Sequence, residues 1–191
     1  GYSNKSTSTE AITNIGLLNV SSVTNMAGMF YLFGSHYAQA LPPLKRALDF
    51  YAALSSDTAQ LATAQILTHM ALAHKGLEQY GEACNLLTRA VDIYSRHDDG
   101  KKSYPQAVEW LGDAECRNGD FEKGCANLRK AMQLYAERGM AEGYAQTLNS
   151  LKMSYLREGR PVPEDLSTDG PQQELADNET SAKLDRIIEE E

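Results

Sequence analysis

The sequence predicts an all-α protein built as a solenoid of helix pairs. Two observations carry that prediction. Three amphipathic segments, opening at Tyr37, Tyr80 and Phe121, align with one another without gaps, and a further amphipathic stretch precedes each of them. Composition agrees: the 191 residues are 42% hydrophobic and 23% charged, a globular profile. A chain of this length can bury roughly 70% of the surface it exposes when unfolded, so it needs no disulfide or metal staple.

The first stretch ends a helix at Phe33-Gly34, with Thr24, Ala27, Gly28 and Tyr31 in one helical phase. The first aligned segment follows, Tyr37 to Tyr51, with Ala40, Leu44 and Ala47. A helix over about Asp57 to Leu77 carries Leu67, Met70, Ala71 and His74 on one face. The second segment runs Tyr80 to Tyr94, with Ala83, Leu87 and Ala90. Ser103-Tyr-Pro-Gln106 reads as a capping box with Pro105 in the first turn, opening a helix that stops at Asn118-Gly119-Asp120. The third segment runs Phe121 to Tyr135, with Gly124, Leu128 and Ala131. A last helix covers Ala141 to Glu158 and ends at Gly159; Pro161 and Pro163 then disfavour a partner helix. Small residues recur where two helices approach closely, and Leu recurs where the gap is filled.

The residues Leu111-Gly112, Gly119-Asp120-Phe121, Gly124 and Ala131 resemble the tetratricopeptide repeat pattern. So do Ala27-Gly28, Tyr31, Tyr37, Ala40 and Ala47, and so do Ala71, Tyr80, Ala83 and Ala90. The period of 41 to 43 residues exceeds the 34 of that family and is most similar to kinesin-light-chain-type repeats. The resemblance implies a right-handed α-α superhelix of three full helix pairs and a partial fourth. It divides the chain into a flexible N-terminus (1–9), a repeat domain (10–160) and an acidic tail (161–191).

Charge excludes some functions. The net charge of −8 resides in the tail, which from Pro161 onward holds ten acids against Lys183 and Arg186; the body is neutral. With no basic stripe, neither nucleic acid nor an anionic membrane surface is an expected partner. Residues 11–44 contain no Asp, Glu, Lys or Arg, but Asn14, Asn19, Ser21, Ser22, Thr24 and Asn25 interrupt the apolar run. A membrane span needs about 20 apolar residues, so no insertion is expected. Cys84, Cys116 and Cys125 form no CxxC pair and read as reduced, buried thiols. Gly1 to Thr9 shows no signal peptide. These features point to an intracellular, cytoplasmic protein, with organellar targeting left open because the chain lacks an initiator Met.

No catalytic constellation is expected. His69 and His74 lie five apart on one helix and diverge by about 140°, which does not suit a shared metal. His97-Asp98-Asp99-Gly100 lacks the alternating acids and distal Glu of a calcium loop. There is no phosphate-binding glycine loop, no HExxH and no GxSxG. Hence no enzyme activity, cofactor or metal is predicted. Cys84 and Cys125 share one repeat position, which reads as packing.

In tetratricopeptide arrays the first helices line a concave groove. The resemblance places there Asn25, Met29 and Leu32, then Gln65, Thr68, Leu72 and Lys75, then Gln106, Glu109, Asp113 and Arg117, and finally Gln146, Asn149, Met153 and Arg157. The family's clamp for chaperone-tail carboxylates would fall on Asn25, Met29, His69, Gln106 and Trp110, which lack its Lys and Arg. Gln65, Gln106 and Gln146 recur at one groove position and would suit a peptide backbone, because an amide both donates and accepts. The expected function is a non-catalytic protein–protein interaction module holding a peptide or partner helix. The alternative is a structural subunit of a larger assembly. The uncharged first repeat is expected to self-associate or pack on a partner. The acidic tail is expected either as a solubilising extension or as an internal ligand, with a short helix between Pro171 and Ile188.

Overall fold

The computed structural model describes residues 25–97 and 103–167. The described residues are helical, with no strand among them: α1 (residues 25–33), α2 (Tyr37–Ala52), α3 (Asp57–Gly76), α4 (Tyr80–Arg96), α5 (Ser103–Arg117), α6 (Phe121–Glu137), α7 (Ala141–Arg157) and a 3₁₀ turn at Glu164–Leu166. The chain divides into two compact units, Gly1–His97 and Asp98–Glu191.

The second helix of each pair forms where the aligned segments predict it. Leu44, Leu87 and Leu128 are fully buried, as are Ala47, Ala90 and Ala131. The burial pattern therefore repeats with the sequence. Pro42 and Pro43 lie inside α2 and remove two helical hydrogen bonds; the carbonyls they release belong to the exposed Ala38 and Gln39, where water can satisfy them. Ser56 caps α3 by accepting from the Ala59 amide at 3.3 Å. Helix α5 begins at Ser103 itself, so Ser103 is its first helical residue rather than the flanking cap.

The turns between paired helices are built alike. Ser35 and Glu78 adopt left-handed φ angles of 58° and 59°, and Gly119 and Gly159 take 95° and 68°. Around each, the following amide reaches back to the carbonyl five residues earlier: His36 to Tyr31, Gln79 to His74, Asp120 to Glu115 and Arg160 to Tyr155, at 2.8–2.9 Å. This is the Schellman termination, which satisfies carbonyls the helix leaves unpaired. The turns give a register independent of any side-chain alignment.

In the first unit, α3 packs on both α2 and α4. Ala40, Leu44, Ala47, Ile66 and Ala73 form its core, lined by Tyr37, Tyr51 and Met70. In the second unit, α6 packs on α5 and α7, and α5 also touches α7. Gly112 and Gly124 bring α5 and α6 into backbone contact: a Cβ on Gly112 would stand 2.8 Å from the Gly124 carbonyl oxygen. Gly28 similarly admits Leu44 of α2.

Pro161–Ser167 folds as a strap over α6 and α7, with Leu166 only 2% exposed in a core with Cys125, Leu128, Leu148 and Leu151. Arg129 pairs with Asp165 at 2.7 Å, and Arg160 pairs with Glu122 at 2.6 Å while stacking over Phe121. A seven-residue strap thus occupies the place where the prolines prevent a helix. The segments 1–9 and 171–188 lie outside the described residues.

Candidate functional site

Each unit has its own candidate surface on the faces of its first helices, α1 and α3 in the first unit and α5 and α7 in the second. In the second unit, α5 and α7 lie against each other and present it together. Gln146, Asn149, Met153 and Arg157 occupy successive turns of α7 and are all exposed, Met153 at 48%. Beside them, Asp113 of α5 bridges the two helices: its carboxylate lies 3.1 Å from Arg117 Nε and 3.9 Å from Arg157 Nη2. Three residues assigned to the groove from sequence therefore meet in one charge cluster. Asp113 is mostly covered, whereas both arginine side chains are 40% exposed. The guanidinium groups are thus aligned by Asp113 yet accessible from outside. Gln106 is half-buried on α5.

Two assigned residues do not face out. Glu109 is 4% exposed and accepts a hydrogen bond from Tyr135 Oη at 3.1 Å, so it ties α5 to α6. Burial first, then the Glu109 charge, raises the Tyr135 phenol above its ordinary value. Thr68 is 6% exposed and donates its hydroxyl to the Ala64 carbonyl at 2.8 Å within α3. Both are structural.

In the first unit, Gln65 is exposed on α3, and Leu72 and Lys75 are half-buried. Asn25, Met29 and Leu32 are half-buried on α1. The Asn25 Oδ1 and His69 Nδ1 atoms are buried without a hydrogen-bond partner among the described residues. Burial lowers the His69 imidazole below its ordinary pKa. Lys75 lies three residues before its left-handed turn residue, and Arg117 and Arg157 lie two before theirs, so Lys75 sits one position earlier in its helix than the two arginines.

Cys116 and Cys125 are buried on facing helices, and burial raises both thiols, Cys125 to about 12. Both fill the core between α5 and α6, and a raised pKa leaves little thiolate at neutral pH. Trp110 is half-buried. Among the described residues no three His, Cys, Asp or Glu side chains gather as metal ligands, and no helix is long and apolar enough to cross a membrane.

One surface was not assigned by residue from sequence. Met26, Phe30 and Phe33 on α1 are exposed, as is Leu156 beside Met153 on α7. The available signal was apolar spacing on the face opposite the repeat core.

No protein-family model matches the chain, and no curated protein matches it. Among solved structures, the chain is similar to the Rap conjugation gene regulator of the plasmid pLS20 in complex with the Phr* peptide. The TM-score is 0.67 and the identity 18%, over 78% of this chain and 40% of that one. This chain thus spans two fifths of that protein's length, and at this identity the likeness establishes the fold: an all-α array of helix pairs.

Proposed function

We propose that the chain is a non-catalytic peptide-recognition module of the tetratricopeptide kind, with long repeats similar to those of kinesin light chains. The paired faces of α5 and α7 receive an extended peptide or a partner helix. The observation that carries this reading is the α7 stripe of Gln146, Asn149, Met153 and Arg157, exposed on successive turns beside the Asp113–Arg117 pair. Its amides suit a peptide backbone, Met153 suits an apolar side chain, and Arg157 suits a carbonyl or carboxylate. Support also comes from the similar Rap structure, which holds a peptide. An intracellular setting fits the three free cysteines.

The test is selection of a displayed random-peptide library on the purified chain, followed by fluorescence polarisation with an enriched peptide. Asn149→Ala with Arg157→Ala is expected to weaken binding at least tenfold, on the order of 1.4 kcal/mol or more. Gln133→Ala, on the exposed face of α6, is expected to leave it unchanged. Failure to enrich any peptide, or equal affinity for the double variant, overturns the reading. A second reading, a subunit of a larger assembly, is favoured by the apolar face of α1.

A further inference from the structure

Met26, Phe30 and Phe33 are 65%, 74% and 83% exposed. Spaced four and three apart, they form one stripe on α1. The turn register says what this stripe would be elsewhere in the fold. The residue five before the left-handed turn position is Phe30 in α1, Ala73 in α3, Ala114 in α5 and Ser154 in α7. Ala73 and Ala114 are fully buried and Ser154 is 2% exposed. The residue two before the turn position is Phe33 in α1 and Gly76 in α3, and a Cβ on Gly76 would run into the Tyr37 ring of α2. In α3 these positions are where the helix receives α2, and they are small because the approach is close.

Helix α1 carries phenyl rings at these positions, and both are exposed. The position two before the turn tolerates bulk, since α5 and α7 carry Arg117 and Arg157 there, but the position five before is small in α3, α5 and α7, and a helix placed at the α2–α3 spacing would collide with Phe30. The face is therefore not shaped for a further repeat of the same geometry. An apolar stripe of this kind on a soluble helix marks an interaction site.

We propose that this face is an interface between two copies of the chain, with α1 packed antiparallel on α1 of a second copy about a two-fold axis near Phe30. Charge favours a second copy. Residues 11–44 contain no Asp, Glu, Lys or Arg, so the copies meet without like-charge repulsion, and a partner selected by charge finds no complement here. The stripe is self-complementary: Phe30 meets Phe30, and Met26 meets Phe33. Such an interface is isologous and closes at the dimer. Its three side chains offer about 400 Å² per copy. Two copies bury about 800 Å², below the roughly 1,200–2,000 Å² of stable complexes, so the dimer is a weak and reversible one.

Sedimentation equilibrium of the full chain from about 1 to about 300 µM tests this. The expected result is a monomer–dimer equilibrium with its midpoint on the order of tens of micromolar. Phe30→Glu and Phe30→Lys should each weaken association at least tenfold, because each places like charges face to face across the axis. An equimolar mixture of the two should regain it. Both side chains are exposed, so circular dichroism of the variants should match the wild type. A monomer throughout the range overturns the proposal. So does a dimer that Phe30→Glu and Phe33→Glu both leave intact, or association that continues past the dimer.

Discussion

Gly112→Ala is the sharpest test of the helix pairing. The added carbon would lie 2.8 Å from the Gly124 carbonyl oxygen, 2.9 Å from the Leu128 amide nitrogen and 2.9 Å from Leu128 Cγ. Carbon contacts are comfortable near 3.5 Å, so α5 and α6 must part by roughly 0.5 Å. Two of the three neighbours are backbone atoms, so no rotamer change relieves the contact. Overpacking of this kind costs about 1–3 kcal/mol, and Ala returns about 1 kcal/mol of helix propensity. The net expectation is about 1–2 kcal/mol of destabilisation, and Gly112→Leu reaches about 3 kcal/mol. With a urea slope near 2 kcal/mol per molar, the midpoint should fall by about 0.5–1 M for Ala. Trp110 is the single tryptophan and sits two residues away, so its fluorescence reports on this pair. Gly34→Ala is the comparison: its added carbon would lie 3.0 Å from the ring of the exposed His36, which can swing into solvent. An unchanged or raised midpoint for Gly112→Ala, or a larger loss for Gly34→Ala, would refute the reasoning.

Other outcomes follow from the same geometry. Leu166→Ala should cost about 2 kcal/mol in urea unfolding, because the side chain is buried in the α6–α7 core, while Asp165→Asn should change little, since exposed pairs contribute about 0–1 kcal/mol. His69 has a lowered pKa in the folded chain, so the unfolded chain binds a proton that the folded one resists. Its contribution is intact above about pH 6.5 and is lost as pH falls below that value, at no more than about 1.4 kcal/mol per pH unit. His69→Gln should flatten that slope in thermal unfolding measured between pH 5 and pH 7. Under native conditions an alkylating reagent should label half-buried Cys84 well before Cys116 and Cys125; peptide mass mapping of a time course would show the order.

The helix pairs were legible because their core positions recur. Leu44, Leu87 and Leu128 sit in one place in three helices, and burial acts on each in the same way. Gly119 and Gly159 announced their turns, but Ser35 and Glu78 adopt the same left-handed conformation with side chains that carry no such signal. The strap was not legible either. Pro161 and Pro163 correctly excluded a helix, yet nothing local distinguishes Leu166 as a core residue from a leucine in a tail. At the groove, Thr68 and Glu109 read as surface residues from their polarity. Helix α3 is flanked by α2 and α4, and α5 by α6 and α7, so the open stripe of each is narrow, and Ala64 and Tyr135 supply partners for the polar groups that fall beside it.

The principal helix contacts join elements that are adjacent or next but one in the chain. Loop-closure entropy is therefore small at every step, and folding should be fast, without the long-range search of a β-sheet protein. Synthesis makes the same point in time. At roughly 5–20 residues per second, one repeat length of about 42 residues emerges in about 2–8 s. Each helix pair can close as its second member leaves the ribosome and then wait, already structured, for the next pair to dock.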